Sequence, residues 1–244
     1  MRYIRLVIAY RGTAYSGWQI QPAVPTVQGE IERHLQQMTG EPCRLRAAGR
    51  TDAGVHAEGQ VANFRCESAI ALRSIHRGLN GMLPDDIVIR SVDEVDRGFD
   101  SRRHNHGKHY RYQIWNARIP SPLLSPYTWQ LHRLLRVERM ARAARHLVGT
   151  HDFSAFRSAN CDCATTVRTI HRCTVGLTDP LLQIDVEGTA FLKNMVRIIT
   201  GTLVDVGRET REPDSIVELL ESGDRSRAGL TAPACGLTLV EVLL

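Results

Sequence analysis

The sequence lacks the features of membrane, exported and repetitive proteins. No apolar run approaches the ~20 residues that a bilayer crossing needs, and the start MRYIRLVIAY is too short and strand-like for a signal peptide. There is no internal repeat and no low-complexity linker. Six cysteines in a chain without an export signal indicate reduced thiols rather than a disulfide framework. We therefore expect a cytoplasmic protein with no membrane partner.

The composition is that of an ordinary globular protein. The chain has 244 residues, of which 43% are hydrophobic and 23% are charged, so it can bury a proper core and is not disordered. This length predicts one large domain or two small ones that share a core. The net charge of +5 and the pI of about 9.1 are compatible with an anionic partner but do not identify one.

Apolar spacing predicts an α+β fold. The first half reads as strand 2–10, helix 27–38, strands 43–48 and 60–66, helix 71–79 and strand 86–92. The second half reads as strand 107–117, helix 137–148, a hairpin over 167–186, helices 191–206 and 214–221, and strand 237–243. We expect a mixed, largely antiparallel central sheet flanked by helices. A boundary near residue 104 divides the chain into an N-terminal subdomain, 1–104, and a C-terminal subdomain, 105–244, that completes the sheet.

The basic charge is concentrated in one tract. Between Arg97 and Arg118 the chain has six Lys or Arg residues and three His residues, against the single acid Asp100. Aromatic residues interleave with these charges at Tyr110 and Tyr112, a composition typical of surfaces that neutralise phosphates and stack bases. The alternative is a solvated basic loop.

The segment GRTDAGVHAEGQVANF, residues 49–64, is the densest group of polar residues among glycines. Gly49 and Gly54 have the GxxxxG spacing of a phosphate loop, but Val55 stands where that motif needs Lys, so nucleoside triphosphate binding is not supported. An isolated loop Asp most often caps a turn. Spacing alone does not assign Asp52 a function.

The whole segment resembles the signature of the tRNA pseudouridine synthase A family, whose members share GRTDAGVHA around one catalytic aspartate. The resemblance covers essentially the entire chain. It depends further on the stretches AYRGTAYSGWQIQP (9–22), GLNGMLPDDI (78–87), FDSR (99–102), KHYRYQIWN (108–116), HDFSAFR (151–157), FLKNMVRIITGTLVDVG (191–207) and GLTLVEV (236–242). Three features depart from the family pattern: Arg11 in place of an Asp, the polar tract 103–107, and the cysteines Cys161 and Cys163.

The resemblance implies an isomerase that converts uridine to pseudouridine at positions 38, 39 and 40 of the tRNA anticodon stem-loop. The N1–C1′ bond breaks, the base turns and C5 joins C1′, so no oxidation state changes and neither a cofactor nor a metal is expected. The resemblance also implies two similar α/β subdomains with a basic cleft between them, and a homodimer whose two subunits bind one tRNA.

The family pattern assigns roles to individual residues. Asp52 is the nucleophile, which attacks the sugar or the base or assists a glycal route, and Arg197 is the cation that holds it. Arg50 and Tyr110 bind substrate by the family pattern, and the basic tract adds Arg102, Arg103 and Lys108 as substrate-binding candidates. Tyr110 stacks on the uracil and is a catalytic candidate, although the strand pattern does not distinguish it from Tyr112. Arg50 fills the gap that a flipped base leaves.

Two other classes of protein are compatible with parts of the sequence. His56 and Glu58 match the HxE half of a zinc-dependent base deaminase signature, but the PCxxC half is missing, since the chain offers only Cys161-Asp162-Cys163. A non-catalytic RNA-binding module would have the same basic tract and aromatics without needing Asp52 or Arg197.

Overall fold

The computed structural model describes residues 1–158 and 163–244 and contains five α-helices and ten strands. The helices are α1 (Val27–Thr39), α2 (Leu72–Met82), α3 (Val137–Arg145), α4 (Met195–Gly207) and α5 (Ser215–Ser222). The strands are β1 (Arg2–Tyr10), β2 (Arg46–Ala47), β3 (His56–Cys66), β4 (Ile87–Glu94), β5 (Gly107–Trp115), β6 (Trp129–Gln130), β7 (Gly149–Asp152), β8 (Val167–Thr178), β9 (Leu181–Gly188) and β10 (Leu237–Leu243).

The first compact unit comprises residues 1–106 and 238–244. Its sheet has the order β4-β1-β3-β10, with β2 paired to β3, and only the β3–β10 pair is parallel. Ile4, Leu6 and Ile8 alternate along β1 and are fully buried, because one face of the strand belongs to the core. The neighbouring pairs Tyr3–Arg65 and Arg5–Asn63 therefore lie on the opposite face of this sheet.

The second unit comprises residues 107–237. Its strands have the order β5-β9-β8-β7 and pair antiparallel, and β6 adds to β5 in parallel. Tyr112, Ile114 and Ile184 are fully buried in its core. Helix α4 is almost wholly apolar, and all of its residues except Arg197 and Asp205 are buried.

The predicted α+β class and the largely antiparallel pairing are confirmed. The division at residue 104 differs from the structure at residues 238–244, which we assigned to the C-terminal subdomain. They lie in the first unit, because β10 pairs with β3 at Thr238–His56 and Leu239–Ala57. Within the described residues, no helix combines the length and the apolarity that a membrane crossing requires.

Candidate active site

Residues 49–55 of the signature segment lie in the connection between β2 and β3 in the first unit, and residues 56–64 belong to β3. Its turn is closed by a hydrogen bond from the Val55 amide to the Asp52 carbonyl, 3.1 Å long, and Gly54 has a φ of +79°. Left-handed backbone favours glycine, which explains the residue at this point of the motif. The Gln60 side chain donates to the Gly49 carbonyl over 2.9 Å, so the start of the loop is tied to the strand that follows it.

Thr51, next to Asp52, is the anchor of the loop. It is 6% exposed, and its hydroxyl lies 2.7 Å from that of Tyr10 at the end of β1. Burial raises the pKa of Tyr10 to about 12, so this phenol stays neutral and can donate. The Thr51 carbonyl accepts from the Trp18 amide over 3.1 Å, and a Cβ at Gly17 would stand 2.7 Å from that carbonyl. Contacts of Thr51 to residues 10, 17 and 18 therefore fix the position of the backbone that leads into Asp52.

A second contact fixes the far end of the loop. A Cβ at Gly12 would lie 2.0 Å from the Val55 carbonyl oxygen, so no side chain fits there. The Gly12 amide donates to Nδ1 of His56 over 3.1 Å, and His56 is 3% exposed. A ring nitrogen that accepts from an amide is unprotonated. His56 thus supports the loop.

The contacts that hold the loop involve Thr51, Val55 and His56 and not the carboxylate of Asp52. The side chain is partly exposed, between the exposed Arg50 and Ala53, and Thr51 is turned inward. Within residues 1–158 and 163–244 the carboxylate makes no hydrogen bond or ion pair, whereas a structural loop Asp usually caps a turn with it. The arrangement leaves the Asp52 carboxylate available as a nucleophile.

Arg197 is held within the second unit by two directed hydrogen bonds. Its Nε donates to the Ala232 carbonyl over 2.7 Å, and its Nη1 donates to Oδ1 of Asn194 over 2.8 Å. Asn194 precedes α4 with a φ of +61°. Both partners are amide oxygens, and together they fix the plane of the guanidinium.

The structure distinguishes the two tyrosines of β5. Tyr112 is fully buried and its hydroxyl donates to the Pro233 carbonyl over 2.7 Å, and burial raises the pKa of this phenol. It is a core residue. Tyr110 is 8% exposed and makes an edge-to-face contact with Phe191, with 5.2 Å between ring centroids. Tyr110 therefore remains the candidate that the resemblance selected.

The other predicted substrate-binding residues differ in exposure. Arg102 and Arg103 are exposed, on a turn in which their amides donate to Asp100. Lys108 is only 9% exposed on β5, although we expected it in a basic surface tract. By unit, Asp52, Arg50, Arg102 and Arg103 lie in the first, and Arg197, Tyr110 and Lys108 lie in the second.

The structure offers no support for the zinc site of a deaminase. Among the residues that the structure describes, no three His, Cys, Asp or Glu side chains are grouped to hold a metal ion. Cys161 and Asp162 lie outside the described residues. Glu58 is exposed, and its carbonyl accepts from the Arg90 guanidinium over 2.9 Å.

Sequence reasoning from the loop alone missed its supports Tyr10, Gly12, Gly17 and Trp18. All four lie in the stretch 9–22 that carried part of the resemblance, but nothing in their local pattern indicates a partner about forty residues away. The two glycines were the available signal, since a glycine often marks close approach of another backbone. Asn194 was also missed.

Comparison with known proteins gives concordant matches over the chain. A sequence profile described as tRNA pseudouridine synthase matches residues 6–102 and 143–243. The chain is 51% identical over 242 residues to tRNA pseudouridine synthase A of Geotalea uraniireducens, with 99% of both chains covered. It is 49% identical to the protein of that name from Acetivibrio thermocellus and 48% identical to that from Geotalea daltonii, again over 242 residues and 99% of both chains.

Proposed function

Because the chain belongs to the tRNA pseudouridine synthase family, we propose that it isomerises uridine to pseudouridine at positions 38, 39 and 40 of the tRNA anticodon stem-loop, with Asp52 as the nucleophile. The observation that carries the proposal is the Asp52 loop. Its neighbours Thr51 and Val55 are anchored, and the carboxylate itself is left without a hydrogen bond inside the described residues.

The reaction needs a nucleophile but no redox partner. The N1–C1′ bond breaks, C5 forms the new bond to C1′, the C5 hydrogen leaves as a proton and N1 takes up a proton. Oxidation states do not change, so a carboxylate that attacks and later leaves completes the atom balance. Asp52 attacks the sugar or the base, or assists a glycal route.

Three further residues complete the proposed chemistry. Arg197 supplies the cation that stabilises the Asp52 carboxylate during the reaction, and its two hydrogen bonds to amide oxygens support a fixed orientation. Tyr110 stacks on the target uracil. The target base must leave the helical stem to be reached, and the exposed Arg50 fills the gap that it leaves.

Phosphate contacts position the tRNA. We assign Arg102, Arg103 and Lys108 to this role, since contacts to phosphate fix register and orientation. The exposure of Arg102 and Arg103 supports this assignment, whereas Lys108 is only 9% exposed.

The family supports a proposal for the assembly, and the cysteines support one for the compartment. We propose a homodimer in which two subunits bind one tRNA, which sedimentation at several protein concentrations would test. We propose a cytoplasmic location, supported by the free thiols of Cys43, Cys66 and Cys173, since disulfides are rare in that compartment.

The experiment is release of tritium from uridines labelled at C5 in a tRNA transcript. We expect release with time from a transcript that carries uridine at position 38, 39 or 40, and none when all three are cytidine. Binding of the transcript without release would favour the RNA-binding module. Release that is unchanged by the three cytidines would overturn the positional assignment.

A further inference from the structure

A groove in the first unit crosses the sheet face opposite Ile4 and Leu6. Its floor is formed by Tyr3 and Arg65, which are paired across β1 and β3, and by Asn63. One wall is the segment around β2 and the other is the turn 98–104. The groove has a volume of about 530 Å³, and its lining includes His104 and the cations Arg44, Arg46, Arg65 and Arg103.

The Asn63 side chain holds the turn 98–104 in place as a wall of the groove. Its side-chain oxygen accepts from the amide and the hydroxyl of Ser101, over 2.9 and 2.7 Å, and its nitrogen donates to the Phe99 carbonyl over 3.1 Å. Both Asn63 and Ser101 are buried. The turn is thus fastened to the sheet face, and the groove is a fixed feature of the unit.

The positive charge in the groove exceeds the negative charge. Asp100 is the acidic residue in the groove lining. Burial raises the pKa of its carboxyl, but hydrogen bonds from the amides of Arg102 and Arg103, together with the nearby Arg46, outweigh burial and lower this pKa. Arg46 pairs with Asp100 at 3.4 Å, and Arg44 pairs with Glu32 at 3.3 Å. Arg44 and Arg46 remain 76% and 68% exposed, so neither surface ion pair removes its cation from solvent.

Flat side chains stand beside these cations. The Arg65 guanidinium lies over the Tyr3 ring, 5.4 Å from its centroid, and Phe99 stacks on His104 with 5.6 Å between centroids. Arginine planes beside aromatic rings suit a chain of alternating phosphates and sugars better than an acidic peptide, because guanidinium groups match phosphate geometry and rings accept sugar or base faces.

We propose that this groove binds the sugar–phosphate backbone of the tRNA, with Arg44 and Arg65 each neutralising one phosphate. The inference rests on the proposed function for its choice of RNA. It adds Arg44, Arg46 and Arg65 to the RNA-binding surface, none of which belongs to the basic tract 97–118.

The test is the salt dependence of tRNA binding by the full chain. The variant Arg44→Gln/Arg65→Gln removes two charges from the groove, and Arg33→Gln/Arg77→Gln removes two exposed charges from α1 and α2. Each phosphate contact contributes about 0.9 to the slope of log affinity against log salt. The groove variant should lower that slope by about 1.8, so that raising salt from 50 to 200 mM weakens its binding about 12-fold less than that of wild type.

The control variant should keep the wild-type slope, and Arg44→Lys/Arg65→Lys should keep most of it, because lysine also binds phosphate as a point charge. Equal loss of slope in the groove and control variants would show a net-charge effect and overturn the proposal. An unchanged slope in the groove variant would do the same. Urea unfolding of each variant verifies that the fold is intact.

Two further measurements separate the alternatives. Uridine monophosphate is titrated calorimetrically into wild type and groove variant, and a signal lost in the variant while the tRNA slope is unchanged would mean that the groove binds free nucleotides instead. Single-turnover tritium release is measured with wild type and with the Arg33→Gln/Arg77→Gln control, and both should release tritium at the same rate. Absence of release from wild type would refute the proposed function itself, whatever the salt slopes show.

Discussion

The hydrogen bond between Tyr10 and Thr51 gives the sharpest prediction about how the fold supports Asp52. Tyr10→Phe removes the phenolic hydroxyl, which lies 2.7 Å from the Thr51 hydroxyl, and leaves the Thr51 hydroxyl buried without this partner. A buried polar group without a partner costs about 1–3 kcal/mol. Thr51→Val removes the other partner and leaves the buried Tyr10 hydroxyl without this bond.

We therefore expect Tyr10→Phe and Thr51→Val each to lower the free energy of unfolding by about 2 kcal/mol. The double variant should lose less than the sum, since its second change removes a group that no longer has its partner. Urea unfolding of the four proteins gives these values. Strict additivity would refute a direct bond between the two hydroxyls.

The same variants should slow the reaction, because Thr51 adjoins Asp52. A displacement of a reacting group by about 1 Å can cost up to about 100-fold in rate, so we expect single-turnover tritium release to fall at least about tenfold with tRNA affinity unchanged. Asn116→Ala is the matched control: it removes buried hydrogen bonds to Leu131 and Arg133 in the second unit. It should lose stability but not rate, and equal rate loss in both would contradict a specific role of the anchor.

Three other substitutions probe the site. Gly12→Ala should both destabilise the fold, by about 1–3 kcal/mol from overpacking, and slow tritium release, because its Cβ would meet the Val55 carbonyl at 2.0 Å; a wild-type unfolding curve would contradict the close approach. Arg197→Met should abolish release by removing the guanidinium and its bonds to Asn194 and Ala232, and near-normal release would make Arg197 structural only. Tyr110→Ala should weaken tRNA binding and lose release whereas Tyr110→Phe keeps binding, and a harmless Tyr110→Ala would mean that the resemblance selected the wrong tyrosine.

Elements with local signals could be predicted from the sequence. Helix α1 was expected between Thr26 and Gly40 and spans Val27–Thr39, since Thr26 accepts from the Gly29 amide and Gly40 is left-handed. The start of α4 was expected at 191 but lies at 195, because Asn194 takes a positive φ. That conformation is uncommon outside glycine, so a run of apolar residues does not reveal it.

Elements that depend on distant partners could not be predicted. The strand expected over 43–48 is only Arg46–Ala47, because Leu45 bonds through both its amide and its carbonyl to side chains of α1, Glu32 and Gln28, instead of joining a ladder. Strand β3 begins at His56 and not at residue 60, because β10 pairs with it at His56. The partner strand is about 180 residues away in the sequence. The local sequence pattern does not indicate either contact.

Some features of the candidate site could be predicted from the local sequence, whereas others depend on distant partners. The residue types and the loop around Asp52 were readable because the signature is long and specific. The loop's support was not, since the Tyr10–Thr51 and Gly12–Val55 contacts join positions about forty residues apart. The burial of Lys108 was also hidden, because a basic tract has the same composition whether it lies on a surface or along a packed strand.

The most direct test of the central claim is tritium release from C5-labelled tRNA by Asp52→Asn beside its tRNA affinity. The amide keeps the shape of the side chain and removes the nucleophilic charge. Wild type should release tritium, and the variant should bind tRNA as tightly as wild type yet release none in a single turnover. Substantial release by the purified variant would contradict the assignment of Asp52 as the nucleophile.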